Sequence, residues 1–169
     1  MTRAQKNKKS TVIVFTDVHG DTHNLLKLVP VMEAADAVLF LGDGISSLEV
    51  LPETVTSKLI AVRGNTDFFC RVPSELLVEI GGKNIFITHG HVYGVKSGWE
   101  EIARMAHASG AHICLYGHTH TYAKTSFRGV MVINVPPIGN KRTSCGGSYL
   151  ELVINGDKVT SSVKKINVI

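Results

Sequence analysis

Apolar residues in this chain fall into short runs that each stop at a glycine or a polar residue. The first, at about residues 11–16, reads as a strand and ends abruptly in Asp17-Val18-His19-Gly20-Asp21. A helical pattern starts at His23-Asn24-Leu25-Leu26, and Pro30 inside it predicts a kink or an early end. Ala37-Val38-Leu39-Phe40-Leu41 is a second strand, closed by Gly42-Asp43-Gly44. A short amphipathic helix follows, with Ile45, Leu48 and Leu51 at helical spacing before Pro52. Lys58-Leu59-Ile60-Ala61-Val62 is the third strand and runs into Arg63-Gly64-Asn65-Thr66-Asp67. Three apolar strands separated by helical patterns predict βαβ units and a parallel sheet buried on both faces.

The pattern then changes. Residues 75–80 and 84–88 alternate around Gly81-Gly82 and predict a hairpin, because paired glycines suit a two-residue turn with positive φ. That hairpin delivers Thr88-His89-Gly90-His91. Ser97-Gly98-Trp99-Glu100 has the form of a capping box, and Trp99, Ile102 and Ala106 give the next helix its buried face, with Gly110 as its stop. Residues 111–116 form another strand, ending in Gly117-His118-Thr119-His120. Strands are predicted at about 122–127, 130–135, 147–154 and 158–165, with turns at Arg128-Gly129 and Asn155-Gly156-Asp157. No repeat, linker or second domain is visible, so residues 1–169 read as one domain, with 1–10 as a flexible basic tail.

Composition narrows the classes. With 44% hydrophobic and 19% charged residues and no apolar run near ~20 residues, a membrane protein is not expected. The basic start has no signal-peptide form. The net charge of +4 owes much to Arg3, Lys6, Lys8 and Lys9, and no Lys/Arg stripe suggests a nucleic-acid groove. Cys70, Cys114 and Cys145 are widely spaced, without CxxC, and read as reduced thiols of a cytoplasmic protein.

The chemistry lies at the strand ends. Residues i and i+2 of an extended segment face the same way, so Asp17 and His19 reach one point. The same arrangement recurs after four more strands, as Asp43, Asn65, His89 and the His118/His120 pair. In open α/β sheets, ligands bind outside the carboxyl ends of the strands. Two Asp, one Asn and four His make seven ligands, too many for one catalytic ion and suited to two that share a bridging carboxylate. Two ions ~3.5–4 Å apart clamp the attacking and leaving oxygens of a displacement at phosphorus.

Asp17-x-His19, Gly42-Asp43, Gly64-Asn65-x-Asp67, His89 and Gly117-His118-x-His120 resemble the motif series of calcineurin-like metallophosphoesterases, most closely the short bacterial and archaeal phosphodiesterase branch. The resemblance implies an α/β fold, a four-layer αββα sandwich of two mixed sheets flanked by helices. It implies that Asp17, His19 and His120 hold one metal, that Asn65, His89 and His118 hold the other, and that Asp43 bridges them. A hydroxide between the ions would attack a small phosphodiester. Nitrogen and oxygen ligands suit Mn²⁺, placed first here, and also Ni²⁺, Fe²⁺, Zn²⁺ or Mg²⁺. Homo-oligomers are compatible with all of this.

The chain departs from the family pattern in two places. Larger relatives carry His after Gly-Asn, where this chain has Thr66, a poor acid; His91 becomes the candidate leaving-group acid, with Thr66 as a hydrogen-bond donor. Asn134-Val135-Pro136-Pro137-Ile138-Gly139 replaces the Asn-Pro-Gly-Ser that relatives often show. Asp67 is expected to hold the Gly-Asn loop or orient a ligand His, and Arg63 and Arg142 are surface charges that could meet a phosphate. Cys70 is expected to be buried and inert, and His23, His107 and His112 to be surface or structural. The alternatives to a phosphodiesterase are a phosphomonoesterase or nucleotide phosphatase, and a protein-binding scaffold like the small retromer subunit, which shares the fold.

Overall fold

The computed structural model describes residues 9–139 and 147–166; most of the basic tail, Arg142 and Cys145 lie outside the described residues. Two five-stranded sheets carry the chain. The first holds β1 (Ser10–Phe15), β2 (Ala37–Phe40), β3 (Leu59–Ala61), β9 (Ser148–Asn155) and β10 (Lys158–Lys165), in the order β10-β9-β1-β2-β3. The second holds β4 (Glu75–Ile80), β5 (Lys83–Thr88), β6 (Ile113–Tyr116), β7 (Ala123–Phe127) and β8 (Val130–Asn134), in the order β4-β5-β6-β8-β7. β1, β2 and β3 run parallel, as do β5, β6 and β8, while β9, β10, β4 and β7 add antiparallel neighbours. Both sheets are therefore mixed.

Strand alternation explains the layers. Val12, Val14 and Leu39 face Ile85, Ile87, Ile113 and Leu115 in an apolar core between the sheets. The alternate residues Ile13, Phe15, Val38 and Phe40 turn outward onto Leu25, Met32 and Val55. Those belong to α1 (Thr22–Lys27), α2 (Val29–Ala34) and α3 (Glu53–Thr56). On the far side, Phe86, Cys114 and Val132 meet Ile102, Ala103 and Ala106 of α4 (Glu100–Ala108). Both faces of each sheet are covered, which is the αββα sandwich.

Local signals fare unevenly. Pro30 stands in the first turn of α2, so it starts a new helix after α1 ends. The helix expected at Ile45 is a 3₁₀ helix, Ile45–Val50. Gly81 and Gly82 take φ of +60° and +75° between Ile80 and Lys83, the hairpin turn expected. The capping box does not form. The N–H of Ser97 donates to the Gly94 carbonyl in a turn, and α4 starts at Glu100 with no side-chain cap; Glu100 and Glu101 supply favourable charge to its first turn instead.

Candidate metal centre

The carboxyl ends of β1, β2, β5 and β6 meet along one edge of the sandwich, and the backbone there is unusual. Among the described residues, seven non-glycine residues have positive φ, and five of them are Asp17 (55°), His19 (45°), Asp43 (64°), His118 (68°) and His120 (61°). Left-handed backbone costs on the order of 1–3 kcal/mol per residue and gathers at functional sites. Here surrounding contacts hold it. The Asp17 N–H donates to the Gly42 carbonyl, and the Val18 and His19 N–H groups donate to that of Asp43. From the 134–139 segment, the N–H groups of Ile138 and Gly139 donate to the carbonyls of Thr16 and Asp17. The unusual Val-Pro-Pro-Ile-Gly stretch therefore clamps the backbone that presents Asp17.

The loops approach so closely that glycine is required. A Cβ at Gly64 would lie 2.6 Å from the Asp43 backbone nitrogen, and one at Gly117 would lie 2.9 Å from Asp17 Oδ2. Gly64→Ala should force the Asp43 and Asn65 loops apart. Its expected signature is a roughly 10–100-fold loss of metal affinity, measured by competition with a chelating dye. Unchanged affinity would show that this approach is not needed.

Two triads of ligand atoms result. Asp17, His19 and His120 form one, with His120 Nε2 3.1 Å and His19 Nε2 3.5 Å from Asp17 Oδ1, and 3.4 Å between the two ring nitrogens. Asp43, His89 and His118 form the other, with His89 Nε2 3.3 Å from Asp43 Oδ2 and 3.1 Å from His118 Nδ1. Asp43 Oδ2 also lies 3.8 Å from His19 Nε2, and Asp17 Oδ1 3.9 Å from His89 Nε2, so each carboxylate faces both triads. Ions bound at about 2.1 Å hold neighbouring ligand atoms roughly 3.0–3.4 Å apart, the spacing found here.

The tautomer of His89 points the same way. Its Nδ1 lies 2.9 Å from the Leu41 carbonyl oxygen, which can only accept. Nδ1 therefore carries the proton, and Nε2 is left to face Asp43 and His118, the usual arrangement of a metal-ligating histidine. Around Asp17, the Thr16 hydroxyl donates to Oδ2 at 2.9 Å, fixing the carboxylate so that Oδ1 faces the histidines. Thr16 escaped sequence reading, although a hydroxyl at the end of an apolar run was a usable signal.

Burial pushes the Asp17 carboxyl up, yet hydrogen bonds with His120 and His19 and the charge of His89 prevail and hold it well below the usual range. Asp43 is likewise resisted by burial but lowered to about 2, chiefly by His89 and by the Thr66 N–H. His19 is raised, its hydrogen bond with Asp17 outweighing burial. His89 is raised too, because burial, which lowers it, is outweighed by Asp43 and Asp17. His118 is lowered to about 4 by burial, His89 and Lys96. In the protein alone, the carboxylates thus draw protons onto His19 and His89, which a metal must displace. Metal affinity should therefore rise with pH through and above the ordinary histidine range, with proton release on binding. Calorimetry in buffers of different ionisation enthalpy checks this; pH-independent binding would contradict it.

The other predicted residues sit around this pair of triads. Asn65 is exposed and makes no hydrogen bond among the described residues, but its neighbours are fixed to the Asp43 loop. The Thr66 N–H donates to Asp43 Oδ1 at 2.9 Å. Asp67 holds both loops, its Oδ2 accepting from Asp43 and Gly64 and its Oδ1 from Gly44 and Ile45. His91 packs beside His89 and His118, with ring centroids 5.5 and 6.2 Å away, and its Nδ1 is buried without a partner. Arg63 is half-buried and its charge reaches His91. Cys70 is half-buried rather than buried, its thiol donating to the Asp67 carbonyl, because the Phe68-Phe69 turn keeps it near the surface. His23 is exposed, His107 packs on Phe127, and His112 accepts the Asn84 N–H, all away from the triads.

An αββα sandwich with carboxylates and imidazoles converging at its strand ends is the framework of a metal-binding hydrolase. Residues 11–157 match the calcineurin-like phosphoesterase superfamily domain, and the chain belongs to that family. It is 31% identical over 150 residues to the probable metallophosphoesterase YsnB of Bacillus subtilis (strain 168), covering 88% of this chain and 87% of that protein. It is also similar to a predicted phosphoesterase of Streptococcus pneumoniae TIGR4, with TM-score 0.79, 26% identity, and 94% and 91% of the two chains covered. At lower identity the fold is shared by an archaeal phosphodiesterase (TM-score 0.71, 22%, covering 91% and 99%) and by Chaetomium thermophilum Vps29 (0.73, 14%, covering 92% and 94%). The family and the two triads together support binding of divalent metal.

Proposed function

We propose that this chain is an active phosphodiesterase of the cytoplasm, a single domain that works with two divalent ions, Mn²⁺ first among them. The observation behind the reading is that carboxylate oxygens lie between the two histidine sets. Asp43 Oδ2 is 3.3 Å from His89 and 3.8 Å from His19, and Asp17 Oδ1 is 3.5 Å from His19 and 3.9 Å from His89. The Gly42-Asp43 motif of the family favours Asp43 as the shared one. Asp17, His19 and His120 would hold one ion, Asn65, His89 and His118 the other, with Asp43 common to both. When bound, such ions supply charge that lowers the pKa of a water and neutralises the phosphoryl oxygens. The chain's part is to fix the ligands: the Thr16 hydroxyl and the His118 backbone N–H orient Asp17, Leu41 sets the tautomer of His89, and Asp67 with Thr66 holds Asp43.

The preference for diesters rests on what surrounds the triads. Thr66 is a poor acid, which favours substrates with good leaving groups. Among the described residues, the cations whose charge reaches the cluster's histidines are Arg63 and Lys96, fewer than a dianionic monoester favours. His91 is the candidate for steadying or protonating the leaving oxygen. Burial, with the charges of His89 and Arg63, lowers its pKa, which favours steadying the leaving oxygen by a hydrogen bond over protonating it, and its buried Nδ1 has no partner among the described residues. His91→Ala should lower kcat/KM by roughly 10²-fold without altering metal content. A pH–rate profile identical in shape to wild type would remove His91 as the acid.

The test is turnover of bis(4-nitrophenyl) phosphate and of 4-nitrophenyl phosphate by chelator-stripped protein returned to Mn²⁺, Ni²⁺, Zn²⁺ or Mg²⁺. Faster diester than monoester turnover is expected; monoester turnover alone overturns the substrate class. A protein-binding role is the second reading. The exposed Phe68 and Phe69 beside the centre favour it, and it takes the lead if neither ester is cleaved with metal bound.

A further inference from the structure

A cleft of about 490 Å³ opens beside the metal centre, and none of its wall belongs to the triads. Lys96, Trp99, Tyr116, Thr119, Thr121 and Asn134 line it. Its adjacency to the centre is fixed by the chain. Thr119 stands between His118 and His120, and Tyr116 ends β6 two residues before His118. The charge of Lys96 is felt at His118.

The wall is built rather than incidental. Asn134, the last residue of β8, is 3% exposed, and its Nδ2 donates to the hydroxyls of Thr119 and Thr121. Those hydroxyls also bond to each other at 2.9 Å. The Asn134 Oδ1 beneath them is buried without a partner, an expense that structures rarely tolerate where packing alone is at stake. Opposite stand the exposed Lys96 and the half-buried Trp99, whose indole is held edge-on against Phe127 at 6.4 Å.

A phosphodiester carries two alcohols, and metals that grip phosphorus select neither. Selection falls to whatever lies beside the metals. This cleft offers one cation, two hydroxyls braced from below, the further hydroxyls of Ser97 and Tyr116, and the aromatic rings of Trp99 and Tyr116. A purely apolar or neutral aromatic group would leave the ammonium and the hydroxyls unanswered.

We propose that this cleft is the subsite for one alcohol of the diester, and that it takes a hydroxyl-bearing group with a negative charge of its own, of the sugar-phosphate kind. Lys96 meets the charge, Thr119 and Thr121 meet the hydroxyls, and Trp99 lies along the ring. The proposal rests on the phosphodiesterase reading and deepens it.

Trp99 is the chain's one tryptophan, so its fluorescence reports entry into the cleft whether or not hydrolysis follows. The Mn²⁺-loaded protein is titrated with ribose 5-phosphate, with ribose and inorganic phosphate as controls. A saturable emission change is expected with ribose 5-phosphate alone. The apparent Kd should rise roughly tenfold in Lys96→Met and largely recover in Lys96→Arg. Lys96 is exposed, so both variants should fold. No saturable change, an equal change with inorganic phosphate, or the same Kd in Lys96→Met overturns the proposal. Turnover of bis(4-nitrophenyl) phosphate by the wild type separates the two readings: turnover without the fluorescence change sinks only the cleft, and the change without turnover sinks only the phosphodiesterase.

Discussion

Asp43→Ala should abolish metal-dependent ester hydrolysis while leaving the protein folded. Asp43 Oδ2 lies 3.8 Å from His19 and 3.3 Å from His89, and Asp17 Oδ1 also faces both, at 3.5 and 3.9 Å, so the variant tests which carboxylate the two sides of the centre share. Removing it deprives both triads of a ligand at once, and His89 loses its largest favourable partner. A drop of roughly 10³-fold or more in kcat/KM is expected, about 4 kcal/mol of transition-state stabilisation. Stability without metal should fall but not be lost, because the contacts that hold the Asp43 pKa at about 2 outweigh its burial, and the Thr66 N–H and His89 lose their partner. Steady-state kinetics with circular dichroism on the same sample checks both halves. Activity within tenfold of wild type would show that Asp43 is not shared by the ions.

Asp67→Ala should be the most damaging change at a residue that touches no triad histidine. Its two oxygens accept four backbone N–H groups, from Asp43, Gly44, Ile45 and Gly64, at 2.8–2.9 Å. Hydrogen bonds to a charged acceptor are the stronger kind, and the four donors lie where two loops press together. A loss of about 2–4 kcal/mol in stability is expected, with metal affinity falling roughly 10–100-fold. Asp67→Asn keeps one acceptor oxygen and should recover part of both. Chemical denaturation and metal titration read the two effects separately. A variant destabilised but with normal metal affinity would make Asp67 a purely structural tie.

The ligands were legible because each strand stops at a polar residue; the extended geometry expected to align Asp17 with His19 does not hold, since β1 ends at Phe15 and both residues take left-handed backbone. Gly81-Gly82 was legible for a local reason: the turn demands positive φ at both positions. Strand order was not. Ser148–Asn155 pairs antiparallel with β1, Ser10 lying opposite Ile154, 144 residues away in sequence, and several other strands carry the same kind of apolar run. Only packing between distant segments selects that neighbour. The false capping box at Ser97 fails through competition, since a turn from Gly94 claims the Ser97 N–H first. The left-handed backbone at Asp17, His19, Asp43, His118 and His120 left little trace in sequence, because contacts between loops impose it. The cleft was invisible for the same reason: Asn134, Thr119 and Lys96 are ordinary residues until the fold gathers them.

Two ions, not one, are proposed to act at this edge of the sandwich. Chelator-stripped protein titrated with Mn²⁺, with bis(4-nitrophenyl) phosphate turnover read at each addition, tests this most directly. Turnover that climbs until two equivalents of Mn²⁺ are bound per chain is the predicted result. Turnover that reaches its maximum at one equivalent, or two bound equivalents with no turnover of any ester, would contradict it.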